Sequence, residues 1–593
     1  MRLAYFSPLG PQKSGIADYS EELLPHLARH AEVDLYVEGF APTNPSVVER
    51  FRVFDYVRDP GHLARLRDTY DAVLCHMGND HRYHAGVFDA LRAAPGVVVL
   101  HDFALQDFFL GLARERGRMD IYLDELEACH GREARQSAAE SLARGSAPPQ
   151  AARPLSFPMN ARLAREAEAV IVHSEWARER LQRIAPATPV ARVNHHITER
   201  AARTPPRGSV GNTGDDSRGA SDLAQRAEVA RSVKPFSPDG RVQICSFGLI
   251  TPDKGIERAL RVLSTLRATH DFQYTLVGEP NSFFDVRELI RRYDLADRVR
   301  VTGHVSLEEF QQRVAAADIA VNLRERTAGE TSGSLCRIMA AGVAAVVSNV
   351  GWFSELPGDC VVKIDMDECA DALLHAYLKR LVEDARLRAR LGANARRYVL
   401  ENHRIEQSAA GYADFIREVV AARPRRRLVA SVASELSALD LRPGADDGLL
   451  RRVASEVSAL APASVFRADA ASHGGNGAKP PVANASAGAA RTNPDAHTDE
   501  SAEAEGGAPG DATNGLKDDS KNDMNDDAKD AERRDPAPPP APTPEGGRTP
   551  KVEGIDYKRA AVEYPRKITE ERLHHLRTKP FYNLANKPER YGG

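Results

Sequence analysis

The sequence predicts an α/β protein built from two parallel-sheet units, followed by appended helices and a long tail without a core of its own. Three observations carry that prediction. Continuous apolar, strand-like runs alternate with amphipathic segments twice, over residues 1–200 and again from Arg241. A polar, Gly- and Pro-rich interval containing TPPRGSVGNTGDDSRGASD separates the two series. From about residue 465 the composition turns to Ala, Gly, Asn, Asp and Pro, with too little apolar surface to offset the entropy of ordering.

With 593 residues the chain exceeds one core and has room for about three to four domain-sized units. The expected division is a first unit over 1–200, a flexible insertion over 201–240 and a second unit with its closing helices over 241–420. An appended helical pair (421–464), a disordered linker (465–550) and a short, partly ordered segment (551–593) follow. A net charge of −4 and the lack of a long basic stripe give no pointer to nucleic acid. The six cysteines, Cys75, Cys129, Cys245, Cys336, Cys360 and Cys369, form no CxxC pair and no zinc or disulfide spacing, so they read as reduced, mostly buried residues. Met1 leads straight into RLAYF without an apolar signal core, and no run is long enough to cross a bilayer. A cytoplasmic location is the expectation.

In the first unit, the strand RLAYF runs into a glycine loop and then IADYSEELLPHLARH, whose Ile16, Tyr19, Leu23 and Leu27 fall at helical spacing. The loop has Gly10 and Gly15 but neither the Lys-Ser/Thr of a P-loop nor GxGxxG. Gly15 would let a ligand approach the backbone; a tight turn that needs glycine accounts for it equally well. The runs VDLYV, DAVLCHMG, GVVVLHD, AVIVHS and PVARVNHHI then end on polar residues: His76, Gly78 and Asn79; His101 and Asp102; His173 and Ser174; His195 and His196. A single one of these reads as a structural histidine. Their repeated place at strand ends points to the ligand crevice of a parallel sheet, with His101 the best candidate. The His195-His196 pair has neither i, i+4 spacing nor a carboxylate close in sequence, so no metal site is assigned.

In the second unit, RVQICSFG, YTLVGE, RVRVTG, IAVNL and AAVVSN are strands, and TPDKGIERALRVLSTLRATH is a helix entered through a Pro-Asp turn. Lys254 opens that helix, where an ammonium can meet a phosphate; a solvated surface lysine is the plain alternative. The stretch 321–357 has the anatomy of a phosphate site: a buried strand end, a polar loop and a helix opening on Thr331, Ser332, Gly333 and Ser334. Glu330 would sit beside whatever the phosphate carries and accept hydrogen bonds from sugar hydroxyls. A hydroxyl-capped helix with a solvated glutamate in front stays open. Asp365-Met366-Asp367 reads as capping before ECADALLHAYL, not as a metal-binding pair. Beyond about Val420, RLVASVASELSALD and DDGLLRRVASEVSALA form the helical pair, and Arg423–Arg427 reads as a solvated face, with weak peripheral attraction to an anionic membrane surface as the lesser use. The 551–593 segment reads as a docking peptide or the lead-in of a further polysaccharide-assembly module.

PLGPQKSGIADYS, VVVLHD, FGLITPDKG and GETSGSLCRIMAAG with VSNVGWFSELP together resemble the family 4 retaining glycosyltransferases, whose two Rossmann-like domains face a cleft (the GT-B architecture). The resemblance covers residues 1 to about 420 and is narrower to bacterial enzymes of O-antigen and other surface polysaccharides. It implies a nucleotide-diphosphate sugar donor held mainly by the second unit and a glycan or lipid-linked acceptor held mainly by the first. It implies retention without a metal cofactor, the departing phosphate taking the acceptor's proton. By the same resemblance Lys254 neutralises the diphosphate, Glu330 contacts the transferred sugar, His101 contacts it from the first unit, and Gly15 lies near the diphosphate and acceptor. Two positions depart: Arg337 stands where many members carry a ribose-binding glutamate, and Leu249 falls near a diphosphate arginine. A working variant in which Arg337 makes a different nucleotide contact is the favoured reading. The alternative is a GT-B-shaped binding or scaffold module that has lost turnover and works through its tail. A nucleotide-sugar epimerase would need a catalytic acid pair that the sequence does not offer.

Overall fold

Strand β1 (Arg2–Phe6) explains why the strand runs are continuously apolar: Leu3 and Tyr5 enter one core and Ala4 and Phe6 the other, because successive side chains point to opposite faces and both are covered. In the computed structural model, residues 1–197, 241–439, 444 and 446–459 are described; the insertion at 201–240, the linker at 465–550 and the segment at 551–593 lie outside them. Among the described residues, β1 to β7 form one sheet, adding β2 (Glu32–Val37), β3 (Arg52–Asp55), β4 (Ala72–Met77), β5 (Val97–Leu100), β6 (Ala169–Val172) and β7 (Val190–Arg192). The order is β3-β2-β1-β4-β5-β6-β7, all pairs parallel. A second sheet holds β8 (Val242–Phe247), β9 (Phe272–Val277), β10 (Val299–Val301), β11 (Ile319–Asn322), β12 (Ala344–Ser348) and β13 (Val361–Ile364). Its order, β10-β9-β8-β11-β12-β13, repeats that of the first six strands of the first sheet and is also parallel. The predicted fold class is therefore present: two doubly wound α/β units. In each, strand order reverses beside the first strand, at β1/β4 and β8/β11, where such sheets bind ligands.

Both units lie in one compact body. The helical segment after Asp367 differs from the expectation in three ways. It is broken into helices at Ala370–Glu383, Ala385–Asn402 and Ile405–Ser437, the joints falling at Asp384 and His403. The last of these runs unbroken through Pro424, so the first member of the expected helical pair is its continuation; the second member is Asp447–Ala459. A proline removes one helical hydrogen bond, and the helix formers on either side carry the helix past it. The 405–437 helix also crosses back to the first unit, where Ile405, Ala409, Tyr412, Ala413, Ile416 and Val419 join the core over β1 and the Gly15–Leu27 helix. Accordingly Arg423 is not simply solvated: it pairs with Glu168 and donates to the Asp71 carbonyl. Cys369 N donates to Asp367 Oδ1 at 2.9 Å and Asn349 Nδ2 to Asp365 Oδ1 at 2.7 Å, so this acidic pair is occupied in local turns. The six cysteines form no disulfide with one another, and among the described residues no helix is long and apolar enough to cross a membrane.

Tyr412 anchors this return. It is fully buried, and its hydroxyl meets that of Tyr19 at 2.9 Å. Tyr412→Ala is expected to cost on the order of 3–5 kcal/mol, the range for emptying a buried aromatic site, read as a lower urea midpoint. A midpoint equal to wild type would mean that this helix does not hold the first unit.

Candidate active site

The loops leaving β8 and β11 build the site. After β8, Gly248 adopts φ +95, and a Cβ there would stand 2.7 Å from Lys254 Nζ. Glycine thus lets the ammonium reach the backbone. A 3-10 turn, Pro252–Lys254, places that lysine, and Gly255 in the left-handed region starts the Ile256–Leu266 helix. Burial, reinforced by the Arg324 charge, pushes the Lys254 ammonium down from 10.5 to about 7. Its Nζ has no hydrogen-bond or ion-pair partner among the described residues. After β11, Arg324 is 7% exposed; its Nε donates to Glu330 Oε1 at 2.5 Å and its Nη1 to Asn322 Oδ1 and the Leu323 carbonyl. Glu330 Oε2 accepts from Thr327 Oγ1 at 2.7 Å and Ala328 N at 3.2 Å, so the loop folds around this carboxylate. Burial raises the Glu330 carboxyl, but Arg324 and the hydrogen bonds outweigh it and hold the group below the usual range. An open recess lies between these loops, with Gly248, Leu249, Lys254, Asn322 and Arg324 in its lining.

The expected helix start is in place. Ser332 caps the Gly333–Ala340 helix by accepting from Leu335 N, and its hydroxyl lies 3.1 Å from that of Ser334. Thr331, Gly333 and Ser334 are partly exposed, whereas Ser332 is buried. Near Gly333 the first unit intrudes: a Cβ on it would stand 3.0 Å from His195 Nε2. Arg337 donates through Nη2 to Glu22 Oε1 of the Gly15–Leu27 helix at 2.8 Å, each side chain 15% exposed. In this structure, then, Arg337 is paired to the first unit. Gly15 is exposed at the first turn of its Ser14-capped helix, with open space where a Cβ would stand.

His101 sits in a chain of imidazoles. His173 Nδ1 faces the Val193 carbonyl at 2.8 Å and so carries the proton, leaving Nε2 to accept from His101 Nδ1 at 3.3 Å. His101 Nε2 then accepts from His76 Nδ1 at 2.9 Å. Both nitrogens of His101 are engaged, and burial together with His173 and His76 pushes its pKa well below 6.5, so the ring is neutral. The neighbouring Asp102 accepts from Asn79 N at 2.7 Å, and burial followed by the Glu330 charge raises it to about 7. The two units touch here: Ala104 N donates to the Ala328 carbonyl at 2.7 Å, and Gly329, at φ +76, has no room for a Cβ against Phe103 and Trp176. Arg326 clamps the contact by binding Asp107 of the first unit and Asp253 beside Lys254.

The structure thus places Lys254, Glu330 and the Ser332 cap on loops at one switch point of the second unit, with His101 and Gly15 on the first unit and Arg337, on the second, paired across to Glu22. The sequence reading missed Arg324, Arg326 and Glu22, and named Asp102 only among the polar strand ends. A local signal existed for Arg324, a cation closing an apolar strand six residues before Glu330. None existed for Glu22, whose partner lies 315 positions away.

A partly exposed lysine with no hydrogen-bond or ion-pair partner among the described residues, a carboxylate and a capped helix start gather at the strand-order reversal of a doubly wound sheet, the place where such sheets bind ligands. Residues 230–398 match the family described as glycosyl transferases group 1. This part of the chain therefore carries a group 1 glycosyltransferase domain. Over 182 residues the chain is 31% identical to the MMP alpha-(1->4)-mannosyltransferase of Mycolicibacterium hassiacum, covering 28% of this chain and 42% of that one. It is 27% identical over 235 residues to the alpha-D-kanosaminyltransferase of Streptomyces kanamyceticus, covering 39% and 55%. The chain spans about half the length of these curated relatives. Among solved structures, the sucrose-phosphate synthase of Thermosynechococcus elongatus aligns with 71% of this chain and 99% of its own at 16% identity and a TM-score of 0.49.

Proposed function

We propose that the protein is a retaining glycosyltransferase moving a sugar from a nucleotide-diphosphate donor to a glycan or lipid-linked acceptor in surface-polysaccharide synthesis. The observation that carries this reading is the convergence of Lys254, Glu330 and the Ser332-capped helix at the β8/β11 switch point, within the domain that matches group 1 transferases. Lys254 and the helix amides take the diphosphate, and the Glu330 carboxylate faces the sugar. The bond from the anomeric carbon to the diphosphate oxygen breaks, the acceptor oxygen bonds to that carbon on the same face, and its proton passes to the departing diphosphate. Such chemistry asks the protein for position and charge and uses no metal. Mannose carried on GDP is the first donor to try, at the cytoplasmic face of the membrane. A scaffold reading is favoured by two observations: Arg337 is paired with Glu22, and both ring nitrogens of His101 are engaged within the first unit.

A thermal-shift and calorimetric panel of GDP-, UDP-, ADP- and dTDP-sugars on the full chain, without and then with magnesium, separates the two. Saturable stabilisation by one nucleotide class without metal is expected. A folded protein that binds none of them would leave the scaffold reading.

A further inference from the structure

The cavity between the β8 and β11 loops has a charge imbalance that the reading above does not use. Two cations line it, Lys254 and Arg324, and no acidic side chain does. Glu330, outside its lining, occupies Arg324 through Nε alone, while Nη1 is taken by Asn322 Oδ1 and the Leu323 carbonyl. Arg324 Nη2 donates to no group among the described residues, and neither does Lys254 Nζ. The guanidinium is held by these bonds and lies with its carbon 5.1 Å from the centre of the Phe353 ring, and the Arg324 backbone is pinned as well: its N donates to Ser348 Oγ at 2.7 Å, and Ser348 Oγ donates back to its carbonyl. Two cations facing one recess repel each other, and the Lys254 ammonium is depressed first by burial and then by the Arg324 charge, with Glu330 acting in the opposite direction. The arrangement is relieved by a compact anion that bridges both, and a pyrophosphate group has the charge and two adjacent centres to do so.

We propose that Arg324 is a direct ligand of the donor's diphosphate, its Nη2 and the Lys254 ammonium holding the two phosphate groups while Glu330 and Asn322 fix the guanidinium. This rests on the transferase reading and adds a residue to its site. Leu249 supplies an internal control, because it lines the same cavity and is 48% exposed, so an arginine can be placed there without disturbing a core.

The test is calorimetry of inorganic pyrophosphate, UDP and GDP binding to the full-length protein. Arg324→Met is expected to weaken binding of all three on the order of ten- to a hundredfold, the span for losing a charged hydrogen bond. Adding Leu249→Arg to that variant should restore most of the loss, which a purely structural role for Arg324 would not allow. Removing Arg324 also lifts the repulsion on Lys254, so the remaining affinity should persist to higher pH than in wild type. If Arg324→Met does not fold, Arg324→Lys decides: it keeps the charge without the fork, and its binding should fall between wild type and none. Unchanged affinity in a folded Arg324 variant, or a loss that Leu249→Arg does not repair, overturns the proposal while leaving the transferase reading in place. A wild-type protein that binds none of the probes overturns both.

Discussion

Glu330→Gln is expected to lower turnover by a factor on the order of 10²–10³, more than it weakens donor binding, the scale seen when one preorganised charge-stabilising group is removed. On the proposed mechanism positive charge develops at the anomeric carbon as the diphosphate leaves, and the carboxylate works on that charge more than on the ground-state donor. Glutamine keeps the side-chain volume and one acceptor oxygen, enough for either Arg324 Nε or Thr327 Oγ1 but not both, while discarding the charge. Glu330→Ala should abolish transfer as well, but it is the less clean variant because it strands Arg324, which is 7% exposed and bonded to this carboxylate at 2.5 Å. Leaving such a partner unsatisfied costs about 1–3 kcal/mol. The fold should survive, since Glu330 lies on the loop between β11 and the Gly333–Ala340 helix and not in a core. Unimpaired steady-state turnover in either variant would sink the assignment.

Lys254→Ala is expected to remove saturable binding of the nucleotide-diphosphate sugar at neutral pH. The wild-type interaction should also depend on pH in a defined direction. With the ammonium pushed to about 7, the free protein at pH 8 holds Lys254 mostly neutral, while a bound diphosphate favours the charged form. Binding at pH 8 should therefore take up a proton, visible as a dependence of the calorimetric heat on the buffer's ionisation enthalpy. Affinity should fall by up to about tenfold per pH unit above 7, the limit for one linked proton. Stability runs the other way. The unfolded chain keeps this lysine protonated up to its ordinary 10.5 and the folded chain only to about 7, so between these values the unfolded state binds more protons and the lysine's contribution to stability rises with pH. Lys254→Ala should lose both the proton uptake and that rise. A wild-type affinity that is flat from pH 6.5 to 9 would remove the linked proton, and flat binding that also survives in Lys254→Ala would mean that Lys254 does not meet the diphosphate.

The parts of this site that were legible in the sequence are those set by neighbours in the chain. The glycine before the Pro-Asp turn, the lysine at the opening of a helix and the hydroxyl cap before SLCRIMAAG are local devices whose geometry follows from turn and cap chemistry. Strand ends could be read for the same reason, and with them the crevice. The interdomain pairs could not. Arg337 reads as a nucleotide contact until Glu22 arrives from the first helix, and His101 reads as a free imidazole until His76 and His173 engage its two nitrogens.

The sequence by itself determined that this protein has two doubly wound sheets, which loops lie over them, and that the second carries a hydroxyl-capped helix start. Periodicity, buried strand runs and caps act over a few residues, and the chain records them directly. Only the tertiary structure decided which charges remain free. Arg324 is held by Glu330 and Ser348, Arg326 by Asp107 and Asp253, and the 405–437 helix lies on the first unit, not the second. A side chain's burial and pairing depend on what packs against it from tens to hundreds of positions away, and that sets whether a cation is committed to the fold or available to a ligand.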